Sequence, residues 1–267
     1  MTRLKKEGNG FDSVMHVIAF GGVLCYTFNN KSKKSSEERW LMDKMTLLKR
    51  IPLFNDLAPE QLAPLADVLE QRSYHKGQTI LYQGDEGDSL FVIMRGRVRI
   101  YTLSPDGHEL SFWICDDGDF FGEMSLLSGE PRSASAEAMQ CTEVLVLRRK
   151  AFRDHLLSNP PTAIRIIETL SQRLRHTNES VEGLFALSVT QRIARKLLEL
   201  VDRYGVAERE GVMIDLDLSQ EAIASLVGTT RESANRALSH LRDQGIVEVE
   251  RVRIRVIQPD RLLTFID

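Results

Sequence analysis

The chain has 267 residues, 42% of them hydrophobic, and a formal net charge of −3. This length favours two domains, and the hydrophobic content is ordinary for a folded protein. The charge creates no overall basic field, so any contact with nucleic acid must come from a local basic surface. Three widely spaced cysteines, Cys25, Cys115 and Cys141, without a CxxC pattern, argue against a disulfide framework and against a thiolate metal or iron–sulfur site. We therefore expect reduced thiols in a cytoplasmic protein.

Residues 1–44 differ in composition from the rest of the chain. The run 13–28 is apolar but shorter than the roughly 20 residues that a membrane-spanning helix needs. It lacks a clear small-x-small cleavage site, which makes a signal peptide a weak alternative. A polar, partly basic stretch follows at 29–39. We expect 1–44 to be an extension that is disordered or a start-site artefact, and we expect no membrane partner.

The next part of the chain predicts a short helical start followed by many short strands. Leu62, Leu65 and Leu69 recur at spacings of three and four after a helix start near Pro59. From Ser73 to Leu147, apolar runs rich in β-branched and aromatic residues alternate with turns of glycine and aspartate. This pattern is typical of a β-sandwich or barrel.

A long helix is predicted from Pro160-Pro161 onward. Apolar residues and one threonine form a heptad seam of almost three heptads, at Ile167, Leu170, Leu174, Thr177, Val181 and Leu184. A seam this short can also pack against its own barrel. We favour a dimer helix, because the helix-turn-helix pattern described next is typical of proteins that contact DNA with a helix, and such proteins usually act as two-fold dimers.

Two short helices joined by a glycine turn follow, the helix-turn-helix pattern. Ser219 is a good N-cap for the first helix and Gly228 a good stop, while Thr229 with Glu232 fits a capping box for the second. Two strand-like runs, 246–249 and 252–257, then resemble a wing. Arginine can bind guanine in the major groove, and a carboxylate can accept from cytosine. The candidate DNA-contacting residues are Ser219, Gln220, Thr230, Arg231, Glu232, Asn235 and Arg236; the alternative is an ordinary exposed helix with a Glu232–Arg236 ion pair.

The segment FGEMSLLSGEPRSAS, residues 121–135, has the chemistry of an anion site. Gly122 lets a ligand approach the backbone, and the amides of the short helix after it can face an anion. Glu123 can accept a hydrogen bond from a sugar hydroxyl. Arg132 can hold a phosphate with two donors, and Ser133 adds a hydroxyl. The alternative is a surface loop with a Glu–Arg pair.

These two motifs resemble those of the cyclic AMP receptor / fumarate–nitrate reduction regulator (Crp/Fnr) superfamily of bacterial transcription factors. FGEMSLLSGEPRSAS resembles its phosphate-binding cassette and TTRESANRALSHL its recognition helix, and the resemblance covers about 45–267. It implies an α+β fold: an N-terminal cyclic-nucleotide-binding β-roll (jelly roll) at 45–159, a dimerisation helix at 160–187 and a C-terminal winged helix-turn-helix at 188–267.

Within the superfamily, the cyclic AMP-binding branch matches better. The resemblance implies ligand contacts from Gly122, Glu123, Met124, Ser125, Arg132, Ser133, Thr177 and Asn178, where Asn178 departs from the serine of the usual pattern. Arg231, Glu232 and Arg236 match the recognition helix of this branch, and the resemblance implies a palindromic operator with GTGA-like half-sites. The implied partners are DNA, a second copy of the chain and RNA polymerase.

Other readings of the sequence remain open. The effector could be cyclic GMP or another ligand, or there could be none. The scattered histidines identify no haem ligand, and no metal-ligand spacing or nucleophile–base pair stands out, so we expect no haem, no metal and no catalysis. An enzyme that processes a cyclic phosphate is the alternative outside the regulator class.

Overall fold

The computed structural model describes residues 13–20, 23–30 and 44–266. Near the N-terminus, β1 (Ser13–Phe20) and β2 (Val23–Asn30) pair in antiparallel register. The sequence analysis expected an extension that is disordered or a start-site artefact, whereas the structure gives these two segments strand structure. Both segments are rich in β-branched and aromatic residues, which favour strands. The other residues up to 43 lie outside the described part of the chain, where the expectation stays a prediction.

The first folded domain begins with helices α1 (44–50) and α2 (Pro59–Val68) and continues as short antiparallel strands. The strands are β3 (Glu70–Tyr74), β4 (Thr79–Leu81), β5 (Ser89–Arg95), β6 (Val98–Leu103), β7 (Glu109–Cys115), β8 (Phe120–Phe121), β9 (Ser135–Ala138) and β10 (Thr142–Arg148). They form two four-stranded sheets, in the orders β3-β10-β5-β8 and β4-β9-β6-β7. Helix α3 (Glu123–Ser128) connects β8 to β9, and α4 (Arg149–Ser158) follows β10.

The sheet that contains β5 is buried on both faces. Phe91 and Ile93 belong to a cluster with residues of the second sheet, whereas Leu90 and Val92 pack in a cluster that includes residues of the α1, α2 and α4 helices. A strand covered on both sides needs apolar side chains at successive positions. This explains why β5 is a continuous apolar run instead of an alternating one.

Helix α5 (Pro160–Ala186) is 27 residues long and has an apolar side that remains uncovered within one chain. Its two N-terminal prolines suit a first helical turn. Leu170 and Thr177 of the predicted seam are partly buried against the β-roll. The large apolar side chains that remain exposed are Ile164, Ile167, Leu174, Val181, Leu184 and Phe185.

The second folded domain has its own core. It contains α6 (Val189–Tyr204), β11 (Gly205–Ala207), β12 (Val212–Ile214), α7 (Gln220–Val227), α8 (Arg231–Asp243), β13 (Val247–Glu250), β14 (Arg253–Val256) and α9 (Pro259–Leu263). The strands form one sheet in the order β11-β12-β14-β13. Apolar side chains of α6, α7 and α8 pack against this sheet, with Ile193, Leu197 and Leu241 fully buried.

Several contacts between the two domains come from β7 and the residues that follow it, in addition to those of Lys76 with Asp217 and of Arg97 with Asp215. The hydroxyls of Ser111 on β7 and Ser225 on α7 share a buried hydrogen bond of 2.8 Å. Asp116 accepts hydrogen bonds from Arg203 at 2.7 Å and from the Tyr204 hydroxyl at 2.6 Å, both on α6. Arg97 of the β-roll also donates to Asp116, at 3.1 Å. One carboxylate therefore joins the β-roll to the second folded domain.

The cysteines differ from one another. Cys115 is a free thiol, and burial raises its pKa to about 12. Cys141 is disulfide-bonded, so the expectation of reduced thiols is wrong for this residue. Whether two cysteines can form a disulfide depends on the distance between them in space, and their separation along the chain does not show that distance. No helix within 44–266 is long and apolar enough to cross a membrane.

Candidate ligand cavity and nucleic-acid interface

A cavity of about 330 Å³ lies between the β-roll and α5. Its wall contains all but one of the ligand-binding residues predicted from the sequence: Gly122, Glu123, Met124, Ser125, Arg132, Ser133 and Thr177. Asn178 is exposed on α5 and lies outside this wall. Successive residues on a helix point about 100° apart, so Thr177 and Asn178 cannot both face one cavity of the same chain squarely.

Arg132 is held in place by the backbone of its own domain. Its guanidinium donates to the carbonyl oxygen of Gly122 at 2.6 Å and to that of Ser89 at 2.8 Å. Only 6% of the residue is exposed, and this burial lowers the pKa of the guanidinium from its ordinary, very high value. Gly122 has φ 82°, and a Cβ there would lie 2.8 Å from the Arg132 Nη1 atom. Glycine is therefore required both for the left-handed turn and for the close approach.

Glu123 is paired with an arginine that the sequence analysis did not select. Glu123 is 3% exposed, and Arg173 of α5 donates to its Oε1 at 3.0 Å. Arg173 also donates to the carbonyl oxygen of Phe120 at 2.5 Å. The available signal was its spacing: Arg173 lies one helical turn before Thr177 and thus on the same side of α5. Arg173 was not predicted, because the heptad pattern of α5 consists of apolar residues and one threonine.

The hydroxyl groups of the cassette have different environments. Ser125 is buried, whereas Ser133 is exposed and its Oγ lies 3.4 Å from the Met124 sulfur. With Thr177, the cavity thus combines two guanidiniums, one carboxylate and three hydroxyls with an otherwise apolar wall. Arg132 and Ser133 can bind a phosphate, and Glu123 can accept a hydroxyl hydrogen bond, because charge-assisted bonds are strongest away from water.

The helix-turn-helix has the geometry that its caps require. The Ser219 hydroxyl accepts from the Ala222 amide at 3.1 Å, and Gly228 ends α7 in the left-handed region at φ 63°. The N-cap of α8 is Thr230, whose hydroxyl accepts from the Ser233 amide at 3.3 Å. The N-cap thus lies one residue later than predicted, because two adjacent threonines offer the same cap chemistry, and the predicted capping box of Thr229 with Glu232 is replaced by this single cap.

The outer face of α8 carries the polar residues predicted to contact DNA. Thr230, Arg231, Glu232, Asn235 and Arg236 are exposed there, while Ser219 is exposed and Gln220 half-buried at the start of α7. The inner face contains the buried residues Ala234, Ala237, Leu238 and Leu241. The guanidinium of Arg236 donates to the Ser233 hydroxyl at 2.8 Å. Hydrogen bonds from its own amide and from the Thr230 hydroxyl lower the pKa of Glu232, which keeps this carboxylate charged.

The hairpin of β13 and β14 stands next to the recognition helix as a wing. Arg251 at its turn has φ 55°, and both Arg251 and Arg253 are exposed. Exposed arginines beside a recognition helix are suited to phosphate contacts. The sequence analysis did not select them, although arginines at the turn of the predicted hairpin were the available signal.

Comparisons with known proteins match the same two regions of the chain. A cyclic nucleotide-binding domain family matches residues 71–159, and a Crp-like helix-turn-helix domain family matches residues 191–265. A "CRP-like cAMP-activated global transcriptional regulator" of Mycobacterium tuberculosis is 32% identical over 216 residues, which is 81% of this chain and 96% of the relative. The chain belongs to the Crp/Fnr superfamily.

Other Crp/Fnr proteins are similar over comparable lengths. The cyclic AMP receptor protein of Thermus thermophilus is 33% identical over 76% of this chain and 90% of its own. The solved structure of the c-di-GMP responsive global regulator CLP of Xanthomonas campestris has a TM-score of 0.67 and 25% identity, over 74% of this chain and 99% of that one. The names of these Crp/Fnr relatives differ in the effector.

The comparisons confirm the superfamily, the α+β fold of β-roll and winged helix-turn-helix, and the function of a DNA-binding transcription regulator. Crp/Fnr regulators with this DNA-binding domain commonly act as dimers. Among the described residues, no group of three or more His, Cys, Asp or Glu is arranged to hold a metal ion.

Proposed function

We propose that this regulator binds cyclic AMP in the cavity between the β-roll and α5, and that the ligand controls its binding to a palindromic operator as a homodimer. Arg132 and Ser133 hold the cyclic phosphate, Glu123 accepts from the ribose hydroxyl, and Thr177 contacts the base. A ligand shifts the equilibrium between two conformations only if its affinity for them differs. Cyclic AMP must therefore bind more tightly to the conformation in which the recognition helices fit the operator.

The observation that carries the proposal is the buried guanidinium of Arg132 in a largely apolar cavity. Its two hydrogen bonds to the carbonyls of Gly122 and Ser89 come from the protein itself and fix the position of the guanidinium. Fixing a polar group in advance reduces the entropy lost on binding. One such arginine with one adjacent hydroxyl, Ser133, suits a single phosphate, which favours a cyclic mononucleotide over a cyclic dinucleotide.

The uncovered apolar side of α5 supports the homodimer. Ile164, Ile167 and Val181 are about half exposed or more, at 55%, 62% and 47%, on a helix with a heptad seam. Pairing with a second α5 would remove this surface from water. In such a dimer we propose that the exposed Asn178 approaches the ligand of the partner subunit. Contact with RNA polymerase, implied by the resemblance, stays a prediction.

Calorimetric titration of the protein with cyclic AMP, cyclic GMP and cyclic di-GMP tests the effector, followed by DNA binding with and without each. We expect cyclic AMP to bind most tightly and to increase operator affinity. Arg132→Leu should weaken cyclic AMP binding by on the order of 100-fold, because two charge-assisted hydrogen bonds to the phosphate are lost.

Two variants control this experiment. Arg132→Lys keeps the charge but loses the two-donor geometry and should bind with intermediate affinity. Arg153→Leu removes an exposed arginine of α4 outside the cavity wall and should bind like the wild type. Normal cyclic AMP response in a folded Arg132→Leu protein would contradict the phosphate assignment. Release of AMP from cyclic AMP would contradict a pure receptor.

A further inference from the structure

Trp113 and Phe112 are successive residues of β7, yet both line the ligand cavity. In a regular strand, neighbouring side chains point to opposite faces of the sheet. The pairing of β6 with β7 shifts at this point, since Ile100 pairs with Trp113 but Tyr101 pairs with Ser111. Phe112 is therefore the extra residue of a β-bulge. The bulge turns both aromatic side chains toward one cavity, as bulges near binding sites often do.

The indole of Trp113 is held by the same arginine that pairs with Glu123. The guanidinium carbon of Arg173 lies 5.6 Å from the centre of the Trp113 ring and 5.0 Å from that of Phe120. The Phe112 ring lies 5.5 Å from the Trp113 ring, inclined by 40°. Cation–π and aromatic contacts of this kind fix the orientation of a ring. The indole is thus positioned before a ligand enters.

The cavity wall divides by chemistry. The cassette residues Glu123, Arg132 and Ser133 can satisfy a phosphate and a sugar, but they offer no flat apolar surface for a base. The apolar remainder consists of the two aromatic rings of β7 and of Leu81, Ile100, Phe121, Ala134, Leu170 and Leu174. Of these, Phe121 is 2% exposed and its ring stacks on that of Phe91. A nucleobase has polar edges and apolar π-faces, and stacking on an aromatic side chain is its most general mode of recognition.

We infer that Trp113 is a specificity-determining residue that stacks on the purine base of the effector. The inference rests on the proposed function and identifies which part of the ligand this side chain reads. Through Arg173, the same network links the base-binding ring to the ribose-binding Glu123. Trp113 therefore distinguishes ligands with a large base from ligands with a small one or none.

The experiment compares ligands with and without a base. Trp113→Ala should bind cyclic AMP about 10-fold to 100-fold more weakly than the wild type, the usual effect of removing a stacking ring. Its affinity for 1-O-methylribose 3′,5′-cyclic phosphate, which keeps the sugar and phosphate but lacks the base, should not change. Trp113→Phe should restore part of the affinity for cyclic AMP. Wild-type protein should also prefer cyclic AMP to the pyrimidine nucleotide cyclic CMP, and Trp113→Ala should lose most of this preference.

Fluorescence provides an independent measurement, because the chain has two tryptophans, Trp40 and Trp113. In Trp40→Phe protein the emission of Trp113 should be quenched by cyclic AMP and remain unaffected by the base-free compound. Equal losses of affinity for both ligands in Trp113→Ala would overturn the inference, since the ring would then only position Glu123. Undiminished cyclic AMP affinity in Trp113→Ala would overturn it while leaving the proposed function intact. Failure of the wild type to bind any cyclic nucleotide would overturn both.

Discussion

At the scale of single residues, two arginines central to the proposals have opposite environments. Arg132 is buried and donates to carbonyl oxygens of its own domain, so the protein itself fixes the position of its guanidinium. Arg236 is exposed on α8, and it donates a hydrogen bond to the Ser233 hydroxyl, a weak neutral acceptor close by on the same helix. Arg236 can exchange this contact for a guanine at little cost. A buried arginine therefore suits a fixed small ligand, and an exposed one suits a DNA groove.

Replacing Arg236 by alanine should reduce sequence discrimination at one guanine of the operator half-site. We expect a loss of about 1–3 kcal/mol, because a two-donor contact to guanine O6 and N7 disappears. Binding to a panel of operators with single base changes, measured at fixed salt, gives the discrimination. Arg242→Ala, which removes an exposed arginine from the far end of the same helix, is the matched control. Equal weakening on every operator would instead identify Arg236 as a phosphate contact.

At the scale of secondary-structure elements, α5 has two roles on two sides. Arg173 and Thr177 face the cavity, whereas Ile164 and Ile167 are exposed. In the proposed dimer, α5 would thus lie between the ligand of its own chain and the partner subunit. Any rotation or straightening of α5 caused by the ligand would act directly on the surface that we propose joins two subunits.

Replacing Ile167 by glutamate should weaken the homodimer, because a charge would be buried against apolar side chains of the partner. We expect a mainly monomeric protein at micromolar concentration in sedimentation or light-scattering measurements. Gln172→Glu places the same charge at an exposed polar position of α5 and should stay dimeric. Dimers of unchanged affinity in Ile167→Glu would show that this side of α5 is not the interface.

The elements also show how far the sequence could predict this structure. The helix-turn-helix was predictable because Ser219, Gly228 and the apolar spacing of α8 are local signals. Strands β1 and β2 were not predicted, because the composition of residues 1–44 as a whole suggested disorder, whereas the β-branched and aromatic residues of these two segments favour strands. The bulge at Phe112 depends on the register of β7 with the preceding strand β6, which the residue pattern of β7 alone does not show. Arg173 lies one turn before Thr177, which is a local signal, but its pairing with Glu123, 50 residues away, could not be predicted from the pattern of α5.

At the scale of the whole molecule, the two folded domains meet at an interface that contains both polar contacts and the apolar contact of Ile114 with the second core. Strand β7 contributes Trp113 to the cavity and Ser111 to the contact with α7. Only a few residues later, Asp116 binds two side chains of α6. Movement of β7 on ligand binding would therefore reach the DNA-binding domain without passing through α5.

The contact between Tyr204 and Asp116 tests whether the two domains behave as one unit. Tyr204 is 7% exposed, and burial, with the hydrogen bond to Asp116, raises the pKa of its phenol. Tyr204→Phe should lower the free energy of unfolding by about 1.5–3 kcal/mol, the usual value for a hydrogen bond to a charged group. Tyr82→Phe changes an exposed tyrosine and should have almost no effect. Urea unfolding, followed by signals from each domain, gives both quantities.

A double-mutant cycle of Tyr204→Phe with Asp116→Asn separates this contact from general packing. A coupling energy above about 0.5 kcal/mol is expected, since the two side chains are in direct contact. Asp116 also binds Arg203 and Arg97, so Asp116→Asn alone should lower the free energy of unfolding more than Tyr204→Phe does. It should also broaden the unfolding transition, because the domains then begin to unfold separately.

The opposite outcome would be additive effects of the two substitutions with one sharp unfolding transition in every variant. This would show that the domains are held together by apolar contacts, such as that of Ile114 with the second core.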